Sequence, residues 1–268
     1  MKTTSALIQR GKGFFFLMML LFACSIAFAQ TPPTIYLHVL YHNVAPGNVG
    51  EFEKIMKENF KPMNQLRKQN GKILNWSLYK IHYKGTDDPY NYVSVVYYDS
   101  FNKTEPNDNW LELMKAANPK VDANAIFEKA NKLRSIVGQN LYRRTESVSS
   151  KTPLPIKYIV ASFQKSKPGM HEEALKMETE EWKPIHQPMI DANQMIMWNV
   201  WELIMPSGTE VNHDYFTSNI FSSYDQVAME GYSDAIKKSS KDYQKVIDRT
   251  TKAKNMVKRE LLEFVMGL

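Results

Sequence analysis

Residues 46–76, PGNVGEFEKIMKENFKPMNQLRKQNGKILNW, return 122 positions later at residues 168–198 as PGMHEEALKMETEEWKPIHQPMIDANQMIMW. Nine positions match without a gap: Pro46 with Pro168, Gly47 with Gly169, Glu51 with Glu173, Lys54 with Lys176, Glu58 with Glu180, Lys61-Pro62 with Lys183-Pro184, Gln65 with Gln187 and Trp76 with Trp198. A fixed internal period means that one supersecondary unit has been copied, and it settles the architecture before any single residue is read.

Working outward, each copy reads strand, helix, strand, strand, helical region, strand. Ile35 to Val44 alternates with period two, and Phe52, Ile55, Met56, Phe60, Met63 and Leu66 then form a stripe at helical spacing. Asn70-Gly71 has the composition of a helix C-cap. Ile73 to Tyr83 and Tyr90 to Tyr98 read as a hairpin around the polar loop Lys84 to Pro89. Trp110 to Ala117 and Asp122 to Leu141 read as helical, with Asp122 as N-cap, and a short strand near Tyr142 to Val148 closes the unit.

The second copy repeats this course. Ile156 to Lys165 is its first strand and Met170 to Ala192 its helix, with a hairpin of Met195 to Met205 and Asp214 to Ser222. Helical segments are expected over Asp225 to Ile236 and Lys241 to Arg259, then a last strand at Leu261 to Val265. Pro62 and Pro184 fall inside the two long helices, where a missing N–H predicts a kink.

The expected fold class is therefore α+β: two ferredoxin-like βαββαβ repeats, residues 30–150 and 151–268, packed sheet to sheet within one chain. On element order, the Pro-Gly turn before the first helix and the closing strand, the sequence resembles the dimeric α/β-barrel superfamily. That superfamily includes NIPSNAP-like, EthD-like and antibiotic-biosynthesis monooxygenase-like proteins. The resemblance implies an intrachain pseudo-dimeric barrel around a central cavity. It also implies, as an alternative to simple binding, a monooxygenase-like or haem-using enzyme.

Residues 1–29 have the pattern of a secretory signal peptide: Lys2, Arg10 and Lys12, an apolar run from Phe14 to Ile26, and Ala27-Phe28-Ala29 before Gln30. Export to the periplasm or the extracellular space is expected. Leu21-Phe22-Ala23-Cys24 gives a rival lipoprotein reading that would tether the protein through Cys24. Cleavage after Ala29 removes the sole cysteine, which excludes disulfides and thiol chemistry. It also lowers the formal net charge from +6 to +3, and no Lys/Arg block suits a nucleic-acid track. A monomer or homodimer without a membrane span in the mature chain is expected.

Strand parity supplies the candidate site. With the apolar face of the first strand (Ile35, Leu37, Val39, Tyr41) assigned to the helices, Tyr36, His38 and His42 point between the sheets. On the hairpins Asn75, Ser77 and Tyr79, with Met197, Asn199 and Trp201, share the inner face. So do Tyr92 and Ser94, matched by Tyr215, Thr217 and Asn219, while Leu74, Trp76 and Leu78, with Ile196, Trp198 and Val200, meet the helices. Aromatics with a few polar groups make a small-molecule site, although the same residues also serve as ordinary inter-sheet packing.

His38 and His42 are the candidate base or haem ligands. They lie about 13 Å apart along a strand and cannot share one metal ion. No metal site is expected, the residues themselves demand no cofactor, and haem enters only through the resemblance. Serine-hydrolase, zincin, Walker and Rossmann motifs are missing from residues 30–268. The expectation is an exported protein that binds a small molecule between its sheets, with an enzyme or a ligand-free structural module as the alternatives.

Overall fold

The computed structural model describes residues 34–83, 88–228, 235, 239 and 242–268. The expected signal segment, Cys24 included, lies outside these residues. So does most of the helix expected over Asp225 to Ile236, of which a 3-10 turn at Asp225–Ala228 is described.

The first repeat runs β1 (Tyr36–Val44), α1 (Val49–Ile55), a π-turn (Met56–Phe60), α2 (Lys61–Gln69), β2 (Asn75–Tyr83), β3 (Tyr92–Tyr98), α3 (Trp110–Ala117), α4 (Ala123–Leu133) and β4 (Arg134–Ser149). The second runs β5 (Tyr158–Ser166), α5 (His171–Met177), a π-turn (Glu178–Trp182), α6 (Lys183–Asp191), β6 (Met197–Met205), β7 (Tyr215–Phe221), α7 (Tyr243–Ala253) and β8 (Lys254–Gly267).

The prolines do not simply kink the helices. Pro62 and Pro184 each follow a π-turn whose last N–H bonds five residues back, Lys61 to Met56 and Lys183 to Glu178. The widened turn makes room for a ring that would otherwise strike a backbone carbonyl, and both copies keep the same solution. Asp122 caps α4 by accepting from the Asn124 N–H at 2.9 Å, and Asp242 does the same for α7 through Lys245 at 3.3 Å.

Two expected boundaries move. The helices thought to reach Leu141 and Arg259 end at Leu133 and Ala253, and the chain passes into extended backbone without a loop, at Arg134 (φ −147°, ψ 157°) and Lys254 (φ −151°, ψ 164°). The closing strands are therefore 16 and 14 residues long. That length does specific work. Arg134–Arg143 of β4 pair with β1 and Leu141–Ser149 pair with β6 of the other repeat. Lys254–Glu263 of β8 pair with β5 and Leu261–Gly267 pair with β2.

The two sheets thus join edge to edge in one closed antiparallel barrel, in the order β1-β3-β2-β8-β5-β7-β6-β4. Closure removes the sheet edges that two separate layers would expose. Three apolar clusters result: one inside the barrel around Leu37, Val39, Val95, Ile159 and Phe163, and one between each half's outer sheet face and its helices, around Phe52 and Trp76 in the first half and Met177 and Trp198 in the second.

The helix ends show how each copy meets one geometric demand. Gly71 has φ +67°, with Lys72 N–H on Arg67 O at 2.9 Å and Gly71 N–H on Lys68 O at 3.0 Å, a Schellman cap. Its counterpart Asn193 has φ +55° with the same two bonds, Gln194 to Met189 and Asn193 to Ile190. No atom lies within 4 Å of a Cβ built on Gly71, so only the left-handed backbone opposes a side chain there. Gly71→Ala is expected to lower unfolding stability by about 1–2 kcal/mol, read from urea midpoints.

Candidate functional site

The barrel interior holds a cavity of about 580 Å³. Its wall follows from strand alternation. On β1, β3 and β5 the inward set is almost wholly apolar: Leu37 and Val39, Val93 and Val95, Ile159 and Ala161. On β2 and β6 it is mixed, with Asn75, Ser77 and Tyr79 facing Asn199 and Trp201 across the space. Ser218 of β7 accepts from both Asn199 Nδ2 and Trp201 Nε1 at 3.1 Å, and Asn199 Oδ1 accepts from Ser147 Oγ at 2.9 Å. Leu74, Ile156 and Phe264 line the cavity while being more than a third exposed, so this is its mouth.

The inner end is polar. Tyr41 and Glu260 line it, and Glu260 is 2 % exposed. Tyr90 donates to Glu260 Oε1 at 2.7 Å, and Lys258 Nζ lies 3.0 Å from the same oxygen. Lys258 also touches the Tyr90 hydroxyl and pairs with Asp88 at 2.9 Å. Beside it stands a second chain. The Tyr41 and Tyr142 hydroxyls are 3.4 Å apart, Asn140 Nδ2 donates to Tyr142 at 2.7 Å, and the Tyr142 hydroxyl lies 2.8 Å from His213 Nε2. Burial pushes the Tyr41, Tyr90 and Tyr142 hydroxyls up, so all three stay protonated. Burial, helped by the Lys258 cation, lowers His213 to about 4.

The polar set of each strand faces inward on β2 and β6 and outward on β1, β3 and β7. Ser77, Tyr79, Asn199 and Trp201 line the cavity. Tyr36, His38 and His42 do not, because the apolar face of β1 turns into the barrel and these three lie on its outer side. His38 bonds Gln139 at 3.1 Å, and His42 bonds Ser94 at 2.9 Å and packs against Phe52 at 5.8 Å. Tyr92, Ser94, Tyr215, Thr217 and Asn219 are outward too. The Tyr92 hydroxyl donates to Glu53 of α1 at 2.6 Å, and that of Tyr215 to Glu178 at 2.9 Å. Leu74 and Ile196, which precede their strands, belong to the barrel side rather than to the helices.

The cause is that both sheet faces are buried, so the more polar face is not automatically the inner one. Helix side chains satisfy the outer polar groups instead. Tyr41, Tyr90, Tyr142, His213, Lys258 and Glu260 escaped the sequence reading. A strand continued back to Lys254 would have placed Lys258 and Glu260 on the same face as Leu262, inside an apolar interior.

The residues of the barrel interior fit a haem group poorly. Neither His38 nor His42 reaches the cavity, and both nitrogens of His213 are engaged, Nδ1 by Asn212 at 2.7 Å. Among the described residues no group of three His, Cys, Asp or Glu could hold a metal ion, and no helix is long and apolar enough to cross a membrane.

A second cavity of about 850 Å³ lies outside the barrel, between β5–β8 and the second half's helices, with His186, Lys254, Arg259, Thr217 and Asn219 in its lining. The lining runs to Ala228 and resumes at Tyr243, and most of the stretch between lies outside the described residues.

No protein-family model matches the chain, and no curated protein does. Solved structures do. A candidate monooxygenase from Fusobacterium nucleatum superposes with a TM-score of 0.55 at 10 % identity, over 88 % of this chain and 95 % of its own. A candidate monooxygenase from Lactobacillus acidophilus gives 0.47 at 10 % identity over 87 % and 93 %, and a heme-binding protein from Thermus thermophilus 0.48 at 6 % over 87 % and 93 %. The chain shares the fold of the Fusobacterium structure, with two ferredoxin-like halves of one chain closed into a single barrel.

Three buried histidines set the acid response. Burial lowers His42 and His186 to about 3 and His213 to about 4, from an ordinary 6.5. The unfolded chain binds these protons and the folded chain refuses them, so stability is lost as pH falls below about 6.5. Burial lowers His38 as well, so His171, raised by its hydrogen bond to the Glu202 carboxylate, opposes the trend as one half-exposed group against four. Urea midpoints are expected to fall steadily between pH 7 and pH 4.5, with no plateau at pH 6.

Proposed function

We propose that this protein binds a small, largely apolar molecule inside its barrel. The observation that carries the reading is the cavity itself: about 580 Å³, open at an apolar mouth, mostly hydrocarbon in its walls and ending on hydrogen-bonding groups. Well-packed interiors leave few voids larger than a water molecule, so a space of this size and composition suits a drug-sized ligand.

A monooxygenase-like activity is the second reading. The Fusobacterium structure of the same fold supports it as an analogy, and so do the ionisable groups at the inner end of the cavity, where a bound molecule would meet them. Binding alone returns the ligand unchanged, whereas turnover alters its mass.

Ala161 lines the cavity and is 4 % exposed, so a large side chain there fills ligand space instead of displacing a neighbour. N-phenyl-1-naphthylamine is expected to bind the wild-type protein saturably with enhanced fluorescence, and Ala161→Trp to weaken binding by about tenfold or more. Equal binding by both proteins would place the probe elsewhere and defeat the reading.

The reading includes export, which the composition of residues 1–29 supports. Intact mass and N-terminal sequencing of protein from the periplasm or medium should show a chain starting at Gln30. A lipid-modified Cys24 terminus would establish the tethered alternative.

A further inference from the structure

The inner end of the cavity is built from acceptors, and their orientation can be worked out bond by bond. His213 Nδ1 faces Asn212 Oδ1 at 2.7 Å, which fixes the proton on Nδ1 and makes Nε2 an acceptor. Tyr142, 2.8 Å from Nε2, therefore donates to it. The Tyr142 oxygen is left to accept, from Asn140 Nδ2 at 2.7 Å and from the Tyr41 hydroxyl at 3.4 Å. Tyr41 thus sends its proton toward Tyr142 and away from the cavity. Its oxygen accepts from Asn140 at 3.3 Å and has a lone pair to spare.

Glu260 reaches the same result by a different route. Tyr90 and Lys258 both converge on its Oε1, so a ligand's donor would be met at Oε2. At this end Glu260 and Asp88 both pair with Lys258, while the cation that lines the cavity wall, Arg144 of β4, lies over the Trp201 ring at 6.0 Å. Lys258 is held from the far side by Asp88 and lies over the Tyr90 and Phe163 rings at 4.9 and 5.0 Å. It is not turned to greet an anion.

We infer that the cavity selects apolar molecules carrying a hydrogen-bond-donating head, an amine or a hydroxyl, with the head seated on Glu260 and Tyr41, and that it rejects apolar carboxylates. This deepens the binding proposal above and rests on it. A buried carboxylate facing a second carboxylate repels it and leaves both short of donors, whereas a donor head completes acceptors that are already aimed.

Isothermal titration at pH 7 with decylamine, 1-decanol and decanoate, the ions below their micellar concentrations and the alcohol below its solubility limit, tests the selection with an identical tail. Wild-type protein is expected to bind the amine and the alcohol about tenfold or more tightly than decanoate. Glu260→Gln should remove most of the preference of amine over decanoate while keeping 1-decanol, because the amide still accepts and Lys258 keeps its Asp88 partner. Decanoate binding as well as 1-decanol to the wild type, or an unchanged amine preference in Glu260→Gln, would overturn the inference and leave the cavity reading standing. Failure of all three probes to bind would overturn both. The wild-type ranking decides the matter by itself if the variant does not fold.

Discussion

Everything in this molecule rests on two strands being longer than one sheet requires. β4 and β8 each pair along their first ten residues with their own repeat and along the remainder with the other repeat. Had they stopped where the repeat's own sheet ends, two open sheets would face each other with four bare edges. Continued, they turn two half-sheets into one closed ladder in which each strand has two partners. Closure also fixes which face is inside. It creates the interior space, and it brings Glu260 from the end of the chain beside Tyr41 from its beginning.

That interior shows how an apolar cavity can carry charge. Glu260, Lys258 and Asp88 pair with one another, with Tyr90 as a bridging hydroxyl, and a separate tyrosine–histidine chain ends beside them. An unpaired carboxylate in such a place would be expelled or protonated, while a paired and hydrogen-bonded one persists. The groups that stabilise this end of the barrel are therefore the same groups that would give a ligand its orientation.

The duplication was kept in the frame and relaxed in the filling. Both repeats keep the π-turn before Lys-Pro, the aspartate N-cap and the left-handed cap residue, Gly71 in one and Asn193 in the other. These are backbone demands, which few residue types can meet. The outer sheet faces have diverged: the first half buries His42 against Phe52 and Ser94, the second places a Lys254–Glu178 pair beneath Trp182. Packing against helices admits many solutions, so the copies were free to part there.

The sequence by itself determined the repeat, the element order, the barrel class and the turn and cap chemistry, because each depends on local spacing or on a residue's own backbone preference. It also placed Ser77, Tyr79, Asn199 and Trp201 on the inner wall. It misassigned β1, β3 and β7, since a strand buried on both faces has no solvent side to set its polarity, and the helices' contribution of Glu53 or Glu178 cannot be seen from the strand alone. It ended the last helix of each repeat too late, because Arg134–Leu141 and Lys254–Glu260 become strand only through partners distant along the chain. Tertiary structure alone decided that Lys258 and Glu260 face inward, for only closure of the barrel gives β8 an inside.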